Sequence, residues 1–182
     1  MSYNIIVATC EENGIGKDND LPWDRIPEDM RNFSKLTKGK GNNAIIMGKN
    51  TYKSIGRPLP NRTNIILSRS LNEESEEKNI YVFKNIDSCV KFCTDKGFDE
   101  VWIIGGESIY RQFLELNLIQ KIYKTNINKK IECDTFFPLI SDRFCLVKTI
   151  PSDIFVSFSI WNRDNNYDPN NIPYGEMNKS KN

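Results

Sequence analysis

Short runs of β-branched and aromatic residues alternate along this chain with segments of helical period, and that alternation constrains the fold more than any other feature. Strands are expected at 4–9, 44–47, 64–67, 80–83, 100–104, 121–126, 144–150 and 155–162, and helices at 27–36, 51–55, 86–96 and 107–116. Strands separated by helices imply right-handed crossovers and a largely parallel sheet covered on both faces. Only Pro151-Ser152-Asp153 separates the last two strands, so these should form an antiparallel hairpin at the sheet edge.

At 182 residues the chain is the size of one domain, able to bury roughly 70% of its unfolded surface. Lys plus Arg number 25 against 24 Asp plus Glu. Such a balance disfavours a dedicated nucleic-acid or polybasic membrane binder, because phosphate affinity depends on clustered positive charge. No apolar run has the length of a membrane span, and Asn4-Ile5-Ile6-Val7-Ala8 reads as a strand rather than a signal peptide, so a cytoplasmic location is expected. The acidic stretch 72–79 reads as a solvated surface loop. Beyond Arg163 the chain turns to Asp, Asn, Pro, Gly and Lys, so we divide it into a domain at 1–163 and a polar tail at 164–182. The tail is expected to be mobile or draped on the surface, or else to serve as a contact arm. A monomer is the default expectation.

There are five cysteines and no histidines. Cys10, Cys89, Cys93, Cys133 and Cys145 form no CxxC pair and read as free thiols in a reducing compartment, with Cys89 and Cys93 on one face if their segment is helical. Without histidine, Ser-His-Asp and Cys-His catalysis and every histidine-containing metal site are excluded. No metal is expected. Carboxylate, tyrosine or lysine chemistry remains, or chemistry borrowed from a cofactor.

Two local patterns suggest where such chemistry sits. The loop GIGKDNDLPW, at 14–23, runs toward a helix opened by Ile26-Pro27-Glu28-Asp29, where Asp29 borders an apolar stripe of Met30, Phe33 and Leu36. Two readings of Asp29 fit this window equally. It is a first-turn acid stabilising the helix dipole from the surface, or a half-buried carboxylate awaiting a flat heterocycle with adjacent N–H donors. The second pattern lies just past strand ends, where Gly105-Gly106, Gly48-Lys49-Asn50-Thr51, Ser68-Arg69 and Lys84 all fall. Ligands of open α/β sheets gather at these carboxyl ends, and glycines before a helix start favour phosphate. Together the cations suit a cofactor with several phosphates, one of them on a ribose 2′ position.

Ile6-Val7-Ala8, GIGKDNDLPW, Asp29 with Phe33, IIMGKNTYKSIGRPLPNR at 45–62, IILSR at 65–69, VWIIGGESIY at 101–110 and DTFFP at 134–138 occur in one order. In these pieces the chain resembles the dihydrofolate reductases from Tyr3 to about Asn162. The resemblance implies a single α/β domain with a mostly parallel eight-stranded sheet, the C-terminal antiparallel hairpin and about four flanking helices. It implies hydride transfer from NADPH to C6 of 7,8-dihydrofolate with protonation at N5, giving tetrahydrofolate for thymidylate, purine and one-carbon metabolism. By the same match Asp29 is the active-site carboxylate, Trp23 orders a water beside it, and Leu21 belongs to the catalytic loop. Thr135 resembles the hydroxyl group that bonds Asp29 and the pterin 2-amino group. Ile6, Val7, Met30, Phe33, Ile55, Leu59, Ile104 and Tyr110 would line the substrate pocket, and Arg62 resembles the arginine that pairs with the substrate's glutamate α-carboxylate.

For the cofactor, the resemblance implies contacts from Ala8, Ile15, Gly16 and Leu21 to the nicotinamide half. Gly48, Lys49, Asn50, Thr51, Leu67, Ser68, Arg69, Ile104 and the segment Gly105, Gly106, Glu107, Ser108, Ile109 and Tyr110 would hold phosphates and adenosine. Arg69 and Lys84 would favour the 2′-phosphate, and Gly105-Gly106 would share the family's cis peptide bond. The chain departs from some members in having Asp rather than Glu at 29 and Met rather than Phe at 30, the latter bearing on antifolate fit. Its tail passes the family's usual last strand, and the reading given to it from the resemblance is a contact with thymidylate-making machinery. The related reductase of riboflavin synthesis is a rival of similar fold, against which LPW, Asp29 and RPLPNR all speak. A non-catalytic binding module is a second rival, which should have lost the acid.

Overall fold

The computed structural model describes residues 1–72, 74–168 and 170. In chain order the elements are β1 (Ser2–Thr9), a 3-10 turn (Glu11–Asn13), β2 (Gly14–Gly16), α1 (Pro27–Lys38), β3 (Ala44–Gly48), α2 (Lys49–Ile55), β4 (Thr63–Leu67), β5 (Ile80–Phe83), α3 (Ile86–Lys96), β6 (Glu100–Gly105), α4 (Glu107–Glu115), β7 (Ile119–Ile127), β8 (Thr135–Phe136), β9 (Phe144–Pro151) and β10 (Val156–Arg163). Eight strands form one sheet in the order β5-β4-β3-β6-β1-β7-β10-β9, while β2 and β8 pair separately. From β5 to β7 all neighbours are parallel, and β10 runs antiparallel to both β7 and β9. The expected edge hairpin is therefore present. Its turn falls later than expected, since Pro151 closes β9 and Asp153 Oδ1 accepts from the Phe155 and Val156 amides.

Alternation along the central strands sends side chains into two cores, one on each face of the sheet. Ile5, Val7, Val101 and Ile103 meet Cys89 and Cys93 of α3 and Ile109, Tyr110 and Phe113 of α4. Ile6, Ile45, Met47 and Trp102 meet Tyr52 of α2 on the other face, with Phe33 and Leu36 of α1 and Ile55 of α2 packed against them. Trp102 and Phe113 are the bulkiest of the fully buried side chains.

Local signals set the helix limits. Pro27 opens α1 where its missing N–H costs nothing, and Asn85 Oδ1 caps α3 by accepting from Ser88 N at 2.9 Å. Gly97 ends α3 in a left-handed conformation, with φ 64. Two short strands, β2 and β8, were not expected. Just beyond β10, Asp164 N donates to Arg143 O at 2.8 Å, which ties the start of the polar tail to the turn before β9. The expectation for 171–182 lies outside the described residues.

Candidate active site

Asp29 sits in the first turn of α1, half-buried, and accepts a 2.6 Å hydrogen bond from Thr125 Oγ1 of β7. Burial pushes its carboxyl above the ordinary carboxylate value, and the Thr125 bond pulls it partly back. Among the described residues nothing bonds Oδ2. Thr125, rather than the expected Thr135, is thus the hydroxyl partner of Asp29. The parallel register explains it. Ala8 pairs with Thr125 across β1 and β7, so the residue facing α1 at this height comes from β7.

Thr135 lies elsewhere, in β8 paired with Gly16 of β2. A Cβ on Gly16 would collide with Thr135 Oγ1, so the ribbon closes only because residue 16 has no side chain. Asp134 adds two bonds to the same loop, its N–H to Gly16 O and its Oδ2 from Asp18 N, both 2.9 Å. Beyond a tight Lys17–Asp20 bridge the loop opens outward. Leu21 is 52% exposed and Trp23 half-buried.

Several expected substrate-side residues converge. Ile6, Phe33, Ile55, Leu59 and Ile104 share one apolar cluster on the α1 face of the sheet. Val7 departs from expectation because period-2 alternation turns its side chain into the opposite core, so only its backbone belongs to the Ile6 side. Met30, in the first turn of α1 beside Asp29, is 41% exposed and stands outside that buried cluster. Tyr110 is fully enclosed. Its hydroxyl donates to Ile6 O at 2.9 Å, and its ring lies under Gly105, so it forms the floor of the site. Burial, with the Asp29 charge nearby, raises its phenol well above normal.

Arg62 is only 4% exposed. Its Nε donates to Pro60 O at 3.0 Å and its Nη1 to Thr37 Oγ1 at 2.8 Å, while Thr37 Oγ1 donates to Phe33 O at 2.7 Å. This chain of bonds ties the guanidinium to the helix that carries Asp29. Asn64 holds the preceding turn, accepting from Leu59 N at 2.8 Å and donating to Leu59 O and Arg62 O. Nη2 has no protein partner among the described residues. Asn64 was not foreseen; an asparagine heading the apolar run Ile65-Ile66-Leu67 was the available signal, and the structure buries its side chain.

The strand-end residues gather along one edge, because β1, β3, β4, β5 and β6 all point the same way. Both α2 and α4 begin on glycine, Gly48 and Gly106, and neither has a side-chain cap. Their first N–H groups are left open beside one another, since Gly48 packs on Ile109 and Gly106 on Thr51. This donor set fits a polyphosphate. Lys49, Asn50 and Thr51 make the first turn of α2, which starts earlier than expected. Lys49 Nζ donates to Ser70 Oγ at 2.8 Å, and Ser68 Oγ accepts from the Ser70 and Leu71 amides. Arg69 and Lys84 are exposed at the ends of β4 and β5, with Leu67 half-buried inside.

Within the α4 segment the roles divide. Ser108 is exposed, whereas Ile109 is core. The Glu107 carboxylate turns to the Phe136 amide at 2.6 Å and to Arg111 at 3.7 Å, so only its backbone is free for an anion. The Gly105–Gly106 bond is cis, as the resemblance implied. Ala8 is half-buried on the Thr125 side, and Ile15 packs against the α4-side core.

Among the described residues no side chain in this cleft can give or accept a hydride, and the half-buried Asp29 can only hold or pass a proton. Such a site suits an α/β oxidoreductase that borrows its redox chemistry from a bound nucleotide. A family model described as "Dihydrofolate reductase" matches residues 2–154. The dihydrofolate reductase of Drosophila melanogaster is 38% identical over 152 residues, covering 79% of this chain and 83% of that protein. That of Haemophilus influenzae is 43% identical over 141 residues, covering 78% and 81%. The bifunctional dihydrofolate reductase-thymidylate synthase of Daucus carota is 35% identical over 153 residues, covering 78% of this chain and 29% of that protein. The chain belongs to the dihydrofolate reductase family, whose enzymes reduce dihydrofolate to tetrahydrofolate with a nicotinamide cofactor.

Proposed function

We propose that this chain reduces 7,8-dihydrofolate with NADPH, and that Asp29 is the group that binds the pterin and supports protonation at N5. The observation that carries this reading is the Asp29–Thr125 pair, a carboxylate held at 2.6 Å among apolar side chains with Oδ2 left for a ligand. The bound nucleotide supplies the hydride. Everything else is alignment and control of water by the protein. Asp29 offers its oxygens to the adjacent N–H donors of a flat heterocycle, and Thr125 fixes the plane of the carboxylate. Phe33, Ile6 and Ile104 supply apolar walls. Burial holds the Asp29 proton at higher pH than an exposed acid would, which keeps a donor near N5.

Arg62 presents Nη2 to the substrate's carboxylate end, held rigid by Pro60 and Thr37. The open N-termini of α2 and α4, with Lys49 and Thr51, bind the cofactor pyrophosphate. Arg69, with Lys84, selects the 2′-phosphate and so NADPH over NADH. The 14–23 loop, anchored through β2 and β8, acts as the cover over the nicotinamide and pterin, with Leu21 and Trp23 moving in when it closes. Residues 1–163 make up a monomeric catalytic domain. The Daucus carota relative joins both activities in one protein, and the tail beyond Arg163 is where a thymidylate-making partner would be contacted.

The test is NADPH absorbance on adding dihydrofolate to the purified chain. Oxidation dependent on both ligands supports the reading. No oxidation, or oxidation only with a pyrimidinone of riboflavin synthesis, overturns it.

A further inference from the structure

Cys10 and Cys133 are distant in sequence, yet their sulfurs lie 3.4 Å apart. Cys10 follows the end of β1 and is buried, whereas Cys133 is half-exposed in the arm that leads from β7 to β8. Both sulfurs pack over Gly14, where a Cβ would collide with each, so the glycine is what lets them meet. Cys10 N also donates to Gly14 O at 3.0 Å. Three pieces of chain therefore converge here: the end of β1, the start of the 14–23 loop, and the arm whose Asp134 and Thr135 hold that loop.

We propose that Cys10 and Cys133 are a modification site that closes to a reversible disulfide with small-molecule disulfides, clamping the 128–136 arm and the root of the 14–23 loop to the end of β1. A disulfide bond is about 2.05 Å long, so the sulfurs need approach by little more than an ångström. The Cys133 thiolate attacks one sulfur of the oxidant and expels the first thiolate. Cys10 then attacks Cys133 Sγ and expels the second, losing its proton. One S–S bond breaks in the oxidant and one forms in the protein, two electrons pass, and two small thiols are released. Burial and the hydrogen bond shared with Cys10 push the Cys133 thiol up to about 11, so little thiolate is present at neutral pH and closure there is slow. The other thiols stand apart from this pair. Cys89 and Cys93 are sealed in the core, and Cys145 is alone on β9.

The bond itself does not depend on the proposed function; its effect on turnover rests on the role given there to the 14–23 loop. The full chain is incubated with glutathione disulfide at mildly alkaline pH, remaining thiols are blocked, and peptides are mapped by mass. NADPH-dependent turnover is followed before and after, and again after dithiothreitol. The exposed Cys145 reports that the oxidant worked. A linked Cys10–Cys133 peptide is expected in the natural chain and in Cys145→Ser, and not in Cys10→Ser or Cys133→Ser. Turnover should fall severalfold on closure and return on reduction, with Cys10→Ser unaffected by the same treatment. Modified Cys145 without a linked peptide, or Cys133 left as a mixed disulfide, overturns the site. A linked peptide with unchanged turnover overturns the clamp. Absence of dihydrofolate reduction in the reduced chain is instead a failure of the proposed function, and the peptide map is read regardless.

Discussion

Thr125 Oγ1 donates to Asp29 Oδ1 at 2.6 Å, joining the inner strand β7 to the first turn of α1. The bond fixes the orientation of the cleft's half-buried carboxylate and opposes the upward shift that burial imposes on it. Thr125→Val should therefore weaken dihydrofolate binding about 10- to 100-fold, the range for a hydrogen bond to a charged group. It should also move the pH break of the reaction upward, because a group that lowers the Asp29 pKa is lost. Thr135→Val should do neither. Ligand-binding fluorescence and a pH–rate profile on both variants check this; the reverse order would reassign the hydroxyl.

Gly16→Ala should depress turnover, since the new Cβ meets Thr135 Oγ1 and opens the β2–β8 ribbon. Adding Thr135→Ala removes the colliding atom and should restore much of the rate. Steady-state kinetics on the two single variants and the double variant measure the coupling. Strictly additive losses would detach the ribbon from loop control.

Removing Arg62 acts on two quantities. Arg62→Ala should raise the KM for dihydrofolate by about 10-fold or more while leaving that for NADPH nearly unchanged. It should also lower stability, because the buried Thr37 hydroxyl and Pro60 carbonyl lose their donor. Arg62→Lys should fail to rescue either effect, as a point charge cannot reproduce the planar fork. Equal shifts in both KM values would refute the carboxylate role.

Much of this layout was legible in the sequence, for definite reasons. The eight main strands and four helices announce themselves through period-2 and period-3.6 patterns, glycine stops and Pro27, and their limits moved by only a residue or two. Asp29 stood out as an acid beside an apolar stripe. What stayed hidden depends on partners far along the chain. Strands β2 and β8 are too short and polar to carry a period, so they exist only as a pair. Thr125 and Thr135 differ only in which strand register brings them under α1, which no local motif encodes. Val7 illustrates the limit of motif reasoning, because its neighbours in the motif face the site while its side chain faces the other core. The Cys10–Cys133 approach is likewise a product of the fold.

Asp29 should cost the empty protein stability at neutral pH. Its folded carboxyl is raised by burial, so its favourable contribution is complete below the ordinary value of about 4 and is lost as pH rises through the folded value. Asp29→Asn should melt higher than the natural protein near pH 7, with the difference vanishing toward pH 4. Thermal melts across pH, without ligands, decide it. A lower melting temperature for Asp29→Asn at pH 7 would mean that the ionised carboxylate is stabilising.

The most direct test is single-turnover hydride transfer, followed by cofactor fluorescence, as a function of pH in the natural chain and in Asp29→Asn. The natural chain should lose rate above one ionisation lying higher than an ordinary carboxyl group, whereas Asp29→Asn should be slow and lack that break. Natural rates in Asp29→Asn, or the same pH break in both proteins, would contradict the assignment of Asp29.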